Sequence, residues 1–293
     1  MKRTVLSIAL AVATLAGAAQ PLQAQERSTT GTAATAVATL DPAQQVHEWV
    51  RLFRADDLAG LVQTLLPPDK LQEARLAYEL GRLHPISDED RAQFDAEFAK
   101  ISGPNAVEEL MAKIEPELEK ARPQIGGALL MGFGAMHMAV ASPDSDLSDA
   151  QRAALEGALP GIQQWATSHD FLSSESMREA LTLLTDAVRQ TGISDLDQAR
   201  QLSFDDVLSR ADVVLAAAKD ALRIYGLDAD AIADSLQVEV LEREGDTARV
   251  RASVILFGAP IWSEHELVLQ DGRWYGKKAA STWAFAGKPK SKG

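Results

Sequence analysis

From about residue 41 to residue 234 the apolar positions recur at helical spacing, broken by short polar stretches. Val46, Trp49, Val50 and Phe53 stand three, one and three residues apart and define one face of a helix. Asp41 precedes that helix with a side chain able to cap free amides. Pro42 suits its first position because proline has no N–H to satisfy. Leu58, Leu61, Val62 and Leu65 repeat the pattern until Pro67-Pro68 stops it, and Leu71, Tyr78 and Leu80 carry a third stripe from Asp69 to near Gly81. Ser87 and Asp90 predict a capped start for a helix with Phe94, Phe98 and Ile101 inward. Val107, Leu110, Met111, Ile114 and Leu118 form a fifth, which Pro116 is expected to kink or divide. Ser148 and Gln151 open a helix through Leu155, Leu159, Ile162 and Trp165, with Pro160 a further expected kink. Met177, Leu181, Leu184 and Val188 lead to a stop at Gly192, and Ser194 with Asp197 starts a short helix. Ser203 and Asp206 cap a longer one through Val207, Val214, Ala218 and Leu222, closed at Gly226.

Residues 125–142 stand apart, because these 18 positions carry no charge. A helix apolar on every side predicts burial in the middle of a bundle, with a membrane-active segment as the competing reading. Gly126, Gly127, Gly132 and Gly134 admit close neighbours, Pro123 and Pro143 bracket the run, and His137 is expected to be a hydrogen-bonded core histidine.

Near Leu236 the period shifts from 3.6 to 2. Val238 and Val240, then Ala248, Val250, Ala252 and Val254, alternate with polar positions. A three-residue turn at Glu244-Gly245-Asp246 would place Val240 opposite Val250, Val238 opposite Ala252 and Glu239 opposite Arg251. A turn at Gly258-Ala259-Pro260, a strand over 261–270 and a hairpin at Asp271-Gly272 follow, pairing Leu269 with Trp274 and Val268 with Tyr275. The predicted class is α+β: a helical domain over 41–234, then a four-stranded antiparallel sheet over 235–278 packed on helices.

Lys2 and Arg3, an uncharged apolar run over 5–19 and Leu22-Gln23-Ala24 read as an export signal over 1–24, followed by a Thr/Ala-rich linker over 25–40. The chain has no cysteine, so there is no lipid-acceptor thiol, disulfide or thiolate chemistry. The expected compartment is the periplasm, with no stable membrane insertion once the leader is removed. Loss of Lys2 and Arg3 leaves 27 basic against 42 acidic residues, a surface that repels nucleic acid. Residues 279–293 are read as a basic, flexible tail.

Signatures of chemistry are missing. His47, His84, His137, His169 and His265 show no i, i+4 pairing, and no GxSxG or phosphate-loop motif occurs. Asp144, Asp146 and Ser148 imitate the start of a calcium loop, which fails at Asp149 and Leu155. Glu264 and Glu266 flank His265 on a strand, so alternation sends them to the opposite face. No cofactor, metal or catalytic residue is assigned, and the chain reads as non-enzymatic.

The stretch from VEVLEREGDTARVRASV to ELVLQDGRWYG resembles the sheet of NTF2-like and lumazine-binding-like cones, over about a sixth of the chain. The whole chain also resembles uncharacterised exported proteins of proteobacteria. The cone resemblance implies an apolar pocket between sheet and helices, although the helical block is far larger than that fold requires. With the methionine-rich run it points to Met131, Phe133, Met136, Met138, Leu269 and Trp274 as contacts for an apolar small molecule. The alternative is an envelope interaction or accessory protein whose partner is another envelope protein.

Overall fold

The structure, a computed structural model, describes residues 40–142 and 149–282. The expected leader, most of the linker, the Asp144 and Asp146 loop, the Ser148 cap and tail residues 283–293 lie outside them. The described chain is α+β: eleven helices and one four-stranded antiparallel meander in the order β1-β2-β3-β4. The helices are α1 (Pro42–Arg54), α2 (Leu58–Leu65), α3 (Pro68–Leu83), α4 (Asp88–Ser102), α5 (Ala106–Ala141), α6 (Asp149–Ser168), α7 (Ser174–Gln190), α8 (Leu196–Gln201), α9 (Phe204–Ile224), α10 (Ala229–Asp234) and α11 (Lys277–Thr282). The strands are β1 (Gln237–Glu244), β2 (Thr247–Leu256), β3 (Ala259–Gln270) and β4 (Arg273–Gly276).

The capping residues act as their chemistry predicts. Asp41 Oδ1 accepts from the Ala43 amide at 2.8 Å. At α4 the Asp90 amide donates to Ser87 Oγ at 3.1 Å, and the Ser87 amide donates back to Asp90 Oδ2 at 2.9 Å. Ser203 and Asp206 repeat this reciprocal pair at α9. Pro116 and Pro123 do not divide α5, which runs unbroken for 36 residues, about 54 Å at 1.5 Å per residue.

The sheet register is the expected one, reached by a different route. Val240 pairs with Val250, Val238 with Ala252 and Glu239 with Arg251. The turn has only two residues, Gly245 and Asp246, and a bulge between Val240 and Glu242 supplies the extra residue that restores register. The next turn is Phe257-Gly258, both with positive φ, and Pro260 lies inside β3 opposite Ile255. Asp271 and Gly272 have φ of 50° and 80°, the type I′ geometry that suits strand twist, and Leu269 pairs with Trp274 as expected.

Ala248, Val250, Leu267 and Trp274 form the sheet's core cluster, with Val46 and Trp49 of α1 packed against it. Three indole N–H groups bind carbonyls of distant segments: Trp274 to Leu40 at 2.8 Å, Trp49 to Thr64 at 3.1 Å and Trp165 to Tyr225 at 2.7 Å. Each satisfies its one polar atom while its large apolar ring is wholly (Trp274) or partly (Trp49, Trp165) buried. The opposite face of the sheet carries charge, with Arg251 bound to Glu264 at 2.7 Å and to Glu239 at 3.3 Å.

Lys219 on α9 is 4% exposed. Its ammonium lies 2.6 Å from both Asp56 and Asp230 and donates to the Phe53 carbonyl at 3.1 Å. Burial opposes its charge most strongly, but the two carboxylates outweigh that and hold its pKa above the ordinary lysine value. Where α6 meets the β2–β3 turn, a Cβ on Gly161 would sit 1.7 Å from the Phe257 carbonyl oxygen, so only glycine fits.

Lys219→Met should lower stability by about 3 kcal/mol in urea denaturation, because it leaves two part-buried carboxylates unpaired. Lys100→Met, which breaks an exposed pair with Glu97, should change it by less than about 0.5 kcal/mol. Because Lys219's folded pKa is raised, its contribution is complete below about pH 10 and fades as pH climbs through the folded value. The gap between wild type and Lys219→Met should therefore close in strong alkali. Gly161→Ala should cost about 1–3 kcal/mol through overpacking, read as a lowered urea midpoint.

Candidate functional site

The uncharged run is not buried. Apart from Leu129, Phe133 and Val140, which turn inward, residues 125–141 of α5 lie on the surface. Leu130, Met131 and Met138 are 75%, 73% and 76% exposed. This corrects the expectation of a helix enclosed by the bundle. α5 is buried near Val107 and Met111, whereas its second half meets the body along one side only, with Val140 its one fully buried residue. His137 is likewise exposed, not a core histidine.

One stripe holds this half against the body. Ile125, Leu129, Phe133, Met136 and Val140 recur at spacings of four, four, three and four, which places them on one helical face. Two arginines fix its ends. Arg122 donates to Asp170 at 3.0 Å and to the Leu172 carbonyl at 2.7 Å. Those bonds, with the Leu172 amide, hold the Asp170 carboxyl below its usual range. Arg152 of α6 donates to the carbonyls of Val140 and Ser142.

Between these anchors α5 and α6 meet loosely. A groove of about 390 Å³ is lined by Ile125, Leu129 and the 166–172 segment. A smaller one of about 230 Å³ is lined by His137, Val140, Ala141, Glu156 and Leu159. Under the first lies an aromatic cluster, in which Trp165 contacts Phe171 at 4.9 Å and Phe257 at 5.0 Å, and Phe171 stacks on Tyr225.

The structure brings Met131, Phe133, Met136 and Met138 together on α5, with Phe133 and Met136 on the inner side and Met131 and Met138 facing out. It does not bring them to Leu269 and Trp274. Trp274 is 0% exposed and enclosed by Ala248, Val250 and Leu267, with Leu269 packed against that cluster. Sequence reasoning missed the groove, because Ile125, Leu129 and Phe171 converge only through the turn that Arg122 holds.

His265 accompanies Ser263 on the inner face of β3, with Ser263 Oγ 2.7 Å from His265 Nε2. Burial, then the nearby Lys278 charge, pushes the imidazole pKa down, so it is neutral at pH 7. Glu264 and Glu266 lie on the other face, bound to Arg251 and Lys277, so neither orients the ring as a Ser–His couple requires. Among the described residues no cluster of three or more His, Asp or Glu is placed to hold a metal ion.

An added Cβ at Gly126 or Gly132 meets nothing within 4 Å. Gly126→Ala and Gly132→Ala should therefore each stabilise the fold by about 0.5–1 kcal/mol, measured as a raised urea midpoint.

No protein family, curated protein or solved structure matches this chain, so the surface of α5 is read from its own geometry.

Proposed function

We propose that the chain is an exported, non-enzymatic interaction protein of the cell envelope, with the apolar half of α5 as its contact surface. One observation carries this reading: residues 125–141 have no charge, yet side chains as large as Leu130, Met131 and Met138 stand in water. A contiguous apolar patch of this kind on a folded protein marks a binding surface. Met side chains suit one, being flexible and polarisable.

By length and composition α5 is able to cross a membrane. Its two ends, however, are held by the same body, through Met111 at one and Arg152 at the other, so a crossing would break those contacts. Glu115, Glu117 and Glu119 just before the apolar half also disfavour an anionic lipid surface. A second reading, an apolar ligand carrier, draws support from the 390 Å³ groove beside Ile125 and Leu129, whose volume falls within the range of small-molecule sites.

A photoreactive residue in place of Met138 should give a discrete protein adduct in intact cells, and one in place of exposed Glu89 on α4 should not. Absence of any adduct from position 138 would sink the proposal. A stoichiometric lipid released by organic extraction of the native protein would favour the carrier reading instead.

A further inference from the structure

Opposite the stripe that holds α5 to the body runs a second seam. Gln124, Gly127, Met131, Gly134, Met138 and Ala141 recur at spacings of three, four, three, four and three, a heptad seam on the outward face. Its residues alternate in size: the small ones are Gly127, Gly134 and Ala141, and the large ones are Met131 and Met138. An added Cβ at Gly127 or Gly134 meets nothing within 4 Å, so none of the described residues occupies the notches that the glycines leave.

The seam is complementary to its own reverse. Laid antiparallel about a two-fold axis between residues 132 and 133, Met131 of one copy falls opposite Gly134 of the other. Met138 falls opposite Gly127, and Gln124 opposite Ala141. Every methionine meets a glycine, and each contact occurs twice, as a closed two-fold interface requires. Parallel pairing would stack methionine on methionine and glycine on glycine, leaving clash and gap in successive layers. The seam has no charge to bury. Each body lies on the far face of its own helix, so the two bodies would fall on opposite sides of the pair.

We infer that the outward face of α5 docks a second copy of this chain, as an antiparallel helix pair through the Gly127–Met138 seam. This rests on the reading of α5 as a contact surface and names its occupant. The footprint is small. The 18-residue seam, about 27 Å long and about 10 Å across, has a footprint on the order of 270 Å² per copy, below the size of standard specific interfaces. The dimer is therefore reversible and concentration-dependent.

Sedimentation velocity of the full chain over a concentration series tests this. Wild type should shift from monomer to dimer, and Gly134→Glu should stay monomeric with unchanged circular dichroism, since its side chain points into open solvent in the monomer. Gly134→Met alone should weaken the dimer about tenfold or more by setting methionine on methionine. Adding Met131→Gly should restore it, because the layer then has its sizes exchanged. A wild type that is monomeric throughout, a dimer indifferent to Gly134→Glu, or a swap that fails to rescue would overturn the inference. So would monomers that bind neutral phosphatidylcholine vesicles through this face. A monomer whose position 138 still crosslinks to a different envelope protein removes the second copy and leaves the contact surface standing. No adduct of any kind removes both.

Discussion

Taking the Lys219 ammonium out of water costs several kcal/mol, which only fixed negative partners can offset. Asp56 and Asp230 supply them from segments 174 residues apart in the chain, one just after α1 and the other on α10, which leads into β1. Asp56 has φ of +56°, a conformation that non-glycine residues adopt rarely, and from it the carboxylate reaches the Lys219 ammonium. The helix that packs under the sheet, the helix that feeds the sheet and the central α9 thereby share one fixed point. The core of Val250, Leu267 and Trp274 assembles on that frame, and Trp274 closes it by binding the Leu40 carbonyl in front of α1.

The apolar half of α5 is a departure built on the same frame. Its inner stripe and the Arg122 and Arg152 bonds hold it along the body, so it does not detach. The body buries Leu208, Ala217 and Ala221 of α9 and Ala180 and Ala187 of α7, whereas of residues 125–141 only Val140 is fully buried. Among the described residues, nothing covers a side chain such as Met138.

Local rules made much of the fold legible. Ser87 with Asp90, and Ser203 with Asp206, announce helix starts because the hydroxyl and carboxylate answer amides three residues away. Val240 opposite Val250 follows from alternation together with the turn length, since a one-residue slip would turn the apolar face outward. The bulge at Leu241 was not legible: a turn residue more and a bulge residue more give the same pairing, and alternation cannot tell them apart. Pro116 does not divide its helix and Pro123 does not bound the uncharged run, because a proline signals a break without showing whether packing carries the helix across it. The larger failure concerned 125–142. Absence of charge reports that a helix face avoids water, and is silent on whether the apolar surroundings come from this chain or from another molecule. Leu269 and Trp274 were judged by their apolar character alone, which a core position satisfies as well as a binding site.

The short β4 has a consequence for how the sheet behaves among other unfolded or nascent chains. β4 pairs only with residues 267–270, so among the described residues the remaining length of β3 has no strand on that side and offers amides and carbonyls that an extended polypeptide could pair with. α6 lies against that stretch, brought close by Gly157 at Ala259 and by Gly161 at the Phe257 carbonyl, and Pro260 removes one donor there. On the opposite border, β1 is bent by its bulge and ends in Glu242-Arg243-Glu244. Both rims are thus closed to templated growth, one by cover and one by charge and distortion. A methyl group in place of one hydrogen at residue 161 would force α6 and the Phe257 carbonyl apart at the first of these rims.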